Sequence, residues 1–379
     1  MLFTSLYYLF ATTIWLLIVP LLLYKSLNKK YKDSIPARFF LKNNPPFEKE
    51  LVHFHSCSLG EVRAIKPIID KLKQEVNIST TTNTGFDEAK KLSKNVRFLP
   101  YEIFLPFWYK KQKLLVVLEA ELWYMLFFIA KKKGVKTILL NARISDKSYK
   151  NYKRLFFLYK RIFKNIDLVL AQTQKDKKRL QELGAKEVKV VGNIKVLQDI
   201  KVTQSYKKPK KTLLTIASSH EKEELLLLKN IKNLQEYHIA IVPRHPERFN
   251  KVADELKDNG YEFKRFSKEK NFNSHITLVD EMGELINIYA ISDIVLLGGS
   301  FVDNIGGHNP LEPAFFGCKV ISGKYYFNQK ALFEIVENLE ICNDIEKLDF
   351  FIKKAKPTTY DKYIDIDKIL SYLYNKNLI

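Results

Sequence analysis

Cysteine is almost missing from this 379-residue chain: Cys57, Cys318 and Cys342 stand far apart, with no CxxC and no metal-ligand spacing. That excludes a disulfide framework and fits a reducing compartment. No His–Asn/Asp partner set is evident for Cys57, which argues against a nucleophile. The common phosphate and hydrolase signatures are missing too. There is no Walker loop, no GxGxxG, no HExxH and no GxSxG. Acidic charge is in deficit, with 63 Lys and Arg against 42 Asp and Glu, a formal +21. This balance favours an anionic partner, whether nucleic acid, membrane surface or phosphorylated substrate, without choosing among them. No recognisable module interleaves stacking aromatics with basic residues, which argues against nucleic acid.

Charge is absent altogether from residues 2–24, LFTSLYYLFATTIWLLIVPLLLY. At ~1.5 Å per residue such a helix reaches across a bilayer core of ~30 Å. It has no basic leading region and no small-residue cleavage site, so it does not read as a secretory signal. Lys25, Lys29, Lys30, Lys32 and Arg38 follow, which places the body on the cytoplasmic side. Residues 1–24 are therefore expected to be a membrane anchor helix and 25–50 a basic juxtamembrane segment. Thr12, Thr13 and Pro20 leave two forms open, a helix that spans and one that lies in the interface.

An apolar content of 46% supports real cores. After residue 50, short apolar runs alternate with amphipathic segments. The expected strands are 51–55, 76–82, 114–119, 137–142, 168–172 and 188–192, then 212–218, 239–244, 276–280, 294–299 and 319–323. Such a rhythm predicts parallel sheets covered on both faces. A Lys-rich stretch near 197–211 divides the chain into two doubly wound α/β domains, 51–200 and 201–379. Ligands of such sheets bind at the carboxyl ends of strands, and the cleft between the domains is the default site.

Several strand ends carry chemistry. SCSLGEVRA (56–64) holds Ser58 and Glu61 at capping-box spacing, which is either a helix start or a functional carboxylate. Glu119 and Glu121 end an apolar run, where a carboxylate is costly unless paired or functional. GNIK (192–195) offers a Gly turn followed by Lys195, which suits an anion. ASSHEKEE (217–224) has an acidic first turn that good dipole design explains in part. VPRHPERF (242–249) presents Arg244 on a loop stiffened by two prolines. GGSFVDNIGGHNPLEPAFFG (298–317) carries two glycine pairs, then Asn309 and Pro310 as expected N-cap and first helical residue. Its functional reading is a loop and helix start that hold a phosphate, with Glu312 taking ribose hydroxyls.

HSCSLGEVRA, EAELW, NARIS, GNIK, SSHEKEE, VPRHPERF, DEMGEL and GGSFVDNIGGHNPLEP together resemble the bacterial 3-deoxy-D-manno-octulosonic acid (Kdo) transferases of lipopolysaccharide inner-core synthesis. The resemblance runs in order from the anchor to about residue 328. It implies a GT-B glycosyltransferase, with two facing Rossmann-like domains, the first for acceptor and the second for nucleotide sugar. It implies inverting transfer of Kdo from CMP-Kdo to the tetraacyl-disaccharide lipid A precursor (lipid IVA), without metal or cofactor. The bacterial inner membrane, at its cytoplasmic face, is the implied location. Glu61 becomes the general base, and Glu119 and Lys195 support the transition state. Donor contacts fall on Pro243 and Arg244, on Met282, Gly283 and Glu284, and on Asn309, Pro310, Leu311 and Glu312. Val196 and Leu197 depart from the Phe and Asp that often follow the GNIK lysine. Two other readings remain: a GT-B enzyme with a UDP-sugar donor, and, from charge alone, a membrane-tethered nucleic-acid binder.

Overall fold

Runs of Val, Ile and Leu bounded by polar turns form parallel strands whose residues are almost all buried, as two-sided cover requires. The computed structural model describes residues 2–197, 200–361 and 364–374, apart from the side chains of Lys147 and Ala331. Contacts divide the chain into two units, residues 1–198 with 362–379, and residues 199–361.

The first unit holds β1 (Val52–His55), β2 (Val76–Thr80), β3 (Asn95–Phe98), β4 (Leu114–Leu118), β5 (Lys136–Ala142), β6 (Leu168–Ala171) and β7 (Val188–Val190). They lie in the order β3-β2-β1-β4-β5-β6-β7, and every pairing is parallel. The order reverses between β1 and β4, so the crevice at their carboxyl ends is the switch point where such sheets bind ligands. Fully buried Phe54, Ile78, Leu115 and Val116 fill the two faces, each contributing roughly 1.5–3 kcal/mol by burial.

The second unit holds β8 (Thr212–Ser219), β9 (Tyr237–Pro243), β10 (Lys264–Arg265), β11 (Ile276–Leu278), β12 (Ile294–Leu297), β13 (Lys319–Gly323) and β14 (Glu340–Cys342). Their order is β10-β11-β9-β8-β12-β13-β14, again parallel, with the switch between β8 and β12.

The N-terminal apolar segment is one helix, α1 (Leu2–Ser26), two residues longer than expected. One face is tied to the first unit. Thr4 meets the Tyr124 hydroxyl at 2.8 Å, Tyr7 donates to the buried Glu102 carboxylate, Tyr8 donates to Ile103 O at 2.7 Å and Trp15 to Phe39 O at 3.1 Å. The other face, including Leu6, Leu9, Phe10 and Leu16, is exposed. The basic stretch after α1 includes α2 (Ser34–Phe40).

One boundary departs from expectation. Residues 201–379 do not form one domain, because the C-terminal helix Ile366–Tyr374 returns to the first unit. Its apolar face, Ile369 and Leu373, is buried in the core that contains Val52, Ile65 and Leu72. Lys71 pairs with Asp367 at 2.7 Å, and Ile364 sits against Gly192 of the GNIK turn.

Candidate active site

Each unit gathers its polar side chains at its own switch point. In the first unit, β1 ends at His55 and α3 (Leu59–Leu72) begins after Ser58. Ser58 is the N-cap by position, but its hydroxyl caps no helix amide. It donates instead to Glu61 Oε1 at 3.0 Å, while Cys57 N donates to Glu61 Oε2 at 2.8 Å. Among the described residues neither arm of the expected capping box forms: the carboxylate takes the amide one residue before the cap and the cap's hydroxyl in place of its amide. Glu61 is 8% exposed. A helix start alone would lower its pKa. Burial, followed by the nearby Glu119 charge, overrides the two hydrogen bonds and lifts it from 4.5 to about 7. Cys57 meets Thr81 Oγ1 at 2.7 Å, and burial pushes its thiol up to about 12, so it is no nucleophile at neutral pH.

Glu119 follows β4 with φ 52°, a left-handed conformation that a side chain adopts only at a cost of about 1–3 kcal/mol. Lys195 Nζ reaches its Oε1 at 2.5 Å. Two residues unnoticed in the sequence build this pair. A register shift near the end of β5 sets Asn141 at φ 58°. Asn141 Nδ2 donates to Glu119 at 3.4 Å and to Asn193 Oδ1 at 3.3 Å, and its Oδ1 accepts from Ile194 N at 3.0 Å. Asn193 Oδ1 accepts from Lys195 N at 3.1 Å. The GNIK turn is thus pinned to the end of β5 and delivers its lysine to the carboxylate ending β4. Glu121 takes Trp123 Nε1 at 2.7 Å and lies 3.8 Å from the buried His55. Its pKa is lowered: burial opposes this, but donors from His55, Trp123 and Cys57 prevail. The structure therefore brings Glu61, Glu119 and Lys195 into one cluster.

In the second unit, a register shift near the end of β8 puts Ser218 at φ 53°. Arg244, next after β9, is tied by its backbone N to Ser219 O at 3.0 Å, while its side chain is exposed. The anchoring of this loop was missed in the sequence. Arg248 grips the buried Glu224 with both terminal nitrogens, at 2.7 and 3.0 Å, and Glu224 also accepts from Ser219 Oγ at 2.7 Å. Pro243 closes β9. His220 and His308 stack with their Nε2 atoms 2.9 Å apart. Burial first, then neighbouring His and Arg charges, push His220 down to about 4 and His308 to about 3, so both are neutral at pH 7 and one donates to the other.

The glycine loop corrects one expectation. Gly299 N, Ser300 N and Phe301 N all donate to the buried Glu223 carboxylate, at 2.7, 3.1 and 2.9 Å, and His220 N joins them at 2.9 Å. The amides after the first glycine pair serve the protein's own glutamate and not a phosphate. Gly298 is required here because a Cβ would stand 2.7 Å from Ser218 O. The helix start differs too. The helix covers only Leu311–Phe315, with Pro310 at the cap position, and Asn309 Oδ1 already takes Leu311 N at 3.0 Å. Asn309 Nδ2 donates to Glu312 at 3.3 Å. The buried Tyr289, a further residue missed in the sequence, has its phenol raised well above its ordinary pKa by burial first and then by the Glu312 charge, with Arg244 acting the other way. Met282 is exposed and Gly283 has φ 91°. Glu284 accepts from Tyr206 and Asn287 at 2.7 and 2.9 Å. Among the described residues, no three His, Cys, Asp or Glu gather in a metal-holding group.

Residues 33–198 match the family model of the 3-deoxy-D-manno-octulosonic-acid transferases. The chain is 32% identical to the 3-deoxy-D-manno-octulosonic acid transferase of Haemophilus influenzae, over 82% of this chain and 79% of that protein. It is 30% identical to the enzyme of that name from Chlamydia pneumoniae, over 86% of this chain and 82% of that protein. A bifunctional glycosyltransferase/methyltransferase of Fusobacterium nucleatum is 33% identical over 95% of this chain, which spans 61% of that protein's length. Among solved structures, the UDP-GlcNAc 2-epimerase of Neisseria meningitidis bound to UDP-GlcNAc gives a TM-score of 0.51 at 12% identity, over 86% of this chain and 92% of that one. That likeness is one of fold, and with the two parallel sheets it fits a pair of Rossmann-like domains of GT-B type.

Proposed function

Because the chain belongs to the 3-deoxy-D-manno-octulosonic acid transferase family, we propose that it transfers Kdo from CMP-Kdo to a hydroxyl of lipid IVA in lipopolysaccharide biosynthesis. The transfer inverts the anomeric centre and uses neither metal nor cofactor. The observation that carries this reading is Glu61, buried at a switch point with its pKa lifted to about 7. A base poised near the working pH combines a useful ionised fraction with real basicity.

In the proposed step Glu61 takes the proton of the acceptor hydroxyl. The freed oxygen forms its bond to the anomeric carbon of Kdo as the bond from that carbon to the CMP phosphate oxygen breaks. CMP leaves as a phosphate monoester, and its growing charge needs a cation. Arg244 is the donor-side candidate, with a side chain that has no hydrogen-bond or ion-pair partner among the described residues. Asn309 and Glu312 are assigned to the ribose, Lys195 and Glu119 to charge developing near the base. Pro310 and Leu311 shape the turn that holds Asn309 and Glu312 together, and Pro243 stiffens the approach to Arg244. Met282, Gly283 and Glu284 remain proposed donor contacts by family resemblance alone.

We assign the protein to the cytoplasmic face of the inner membrane. The exposed apolar face of α1 and the lysines that follow it support that location. Incubation with CMP-Kdo and lipid IVA is expected to release CMP and add the mass of Kdo to the lipid. Turnover of a UDP-sugar in place of CMP-Kdo would overturn the donor assignment. If Arg244→Ala left donor affinity unchanged, its role would fail.

A further inference from the structure

The stretch after α1 does not behave as a free linker. Residues 26–44 fold back against the edge of the first sheet and, with that edge, enclose a cavity of about 490 Å³. Its apolar lining comes from Pro36 and Ala37 of α2, from Val96 and Phe98 of β3, and from Phe86, which stacks on Phe98 at 4.3 Å. Lys32, Lys42 and Arg97 line it as well, against one carboxylate, Asp33. None of these three cations has an ion-pair partner among the described residues.

The walls are held in place by specific bonds. The buried Asn44 donates to Ala37 O and Phe98 O at 3.2 and 2.8 Å and accepts from Phe98 N at 3.2 Å, which clamps the turn to the strand. Leu41 and Asn43 take positive φ of 54° and 53°, so the chain reverses tightly around an exposed Lys42. Arg97 spends Nε on Pro45 O and Nη1 on Val96 O, at 3.0 and 2.9 Å, and keeps Nη2 free of hydrogen bonds among the described residues.

Three cations without ion-pair partners beside an apolar floor suit an oxygen-rich phosphate anion attached to an apolar body. The cavity also begins at Ser26, where the apolar helix ends and the lysines start, the depth at which anionic headgroups lie. We propose that this cavity holds the phosphate ester of a membrane lipid and seats the first unit on the bilayer surface. The inference does not depend on the transfer reaction, because Lys32, Lys42 and Arg97 take no part in the chemistry above. A bilayer phospholipid and the phosphorylated acceptor both carry the required group.

The full-length protein in neutral detergent can be titrated calorimetrically with dihexanoyl phosphatidylglycerol, with lipid IVA and with inorganic phosphate. Saturable binding of either lipid is expected. Arg97→Gln, and Lys32→Gln with Lys42→Gln, should each weaken it about tenfold, the loss of a charge-assisted contact. The exposed Lys257→Gln should leave it unchanged. Saturation by phosphatidylglycerol identifies the bilayer as the source, and saturation by lipid IVA alone identifies the acceptor. Binding of inorganic phosphate only, or equal losses in the Lys257 control, would overturn the proposal.

Discussion

At the scale of single residues the account turns on Glu61. Its position after the first strand is legible in the sequence, and so is its closeness to Ser58. The direction of its pKa is not, because the deciding groups are burial and Glu119, which only the fold brings near. A base must be ionised, so kcat/KM should rise with pH through a limb near 7. Glu119→Gln removes the second cause of the shift, and its limb should move to lower pH. A pH profile with an unmoved limb would detach the two residues. The same shift bears on stability. A carboxyl raised from 4.5 to about 7 on folding favours the neutral folded form. Its contribution is fully present below 4.5 and is lost as pH rises through 7. Glu61→Gln should therefore stabilise the protein at pH 8, by on the order of 2 kcal/mol, and the gain should fade toward pH 4.5. Denaturant midpoints at the two pH values check this.

At the scale of elements, the central strands were legible because two-sided burial writes continuous apolar runs. Of the four strands at the sheet edges β7 was expected, but β3, β10 and β14 were not. β3 alternates buried and half-buried residues, β10 has two residues and β14 three. Each is too short or too mixed to stand out from a loop. The glycine loop was legible as special but not in its purpose. Glu223 read as favourable charge in a first helical turn, whereas it is the anion that the loop amides surround. Glu223→Ala should cost about 3 kcal/mol, through four amides left without their acceptor, and should weaken CMP binding by releasing the loop beside His220 and His308. Chemical unfolding and CMP titration would measure both losses. For α1, charged substitutions on the exposed face, Leu6→Glu with Leu9→Glu and Leu16→Glu, should release the protein from membranes. The bonds of Thr4, Tyr7, Tyr8 and Trp15 would be left intact. Retention through a high-salt wash would show that this face does not hold the membrane.

At the scale of the whole molecule, two parallel sheets with a switch point each explain why functional side chains converge from distant segments. Glu61, Glu119 and Lys195 follow three different strands, and Asn141 on a fourth bonds Glu119 and pins the turn that carries Lys195. The alternation of strands and helices foretold that architecture, but nothing in it foretold the return of Ile366–Tyr374 to the first unit, because an amphipathic helix does not name its partner. The apolar N-terminal helix, the basic balance and the buried Glu61 are the features on which the proposed transfer to an anionic lipid rests. The most direct test is single-turnover transfer from CMP-Kdo to lipid IVA by the full-length protein and by Glu61→Gln, with CMP affinity measured alongside. The account predicts a rate lower by roughly 10²–10⁴-fold in the variant, with CMP bound as tightly as before. A near-native rate in Glu61→Gln would contradict it.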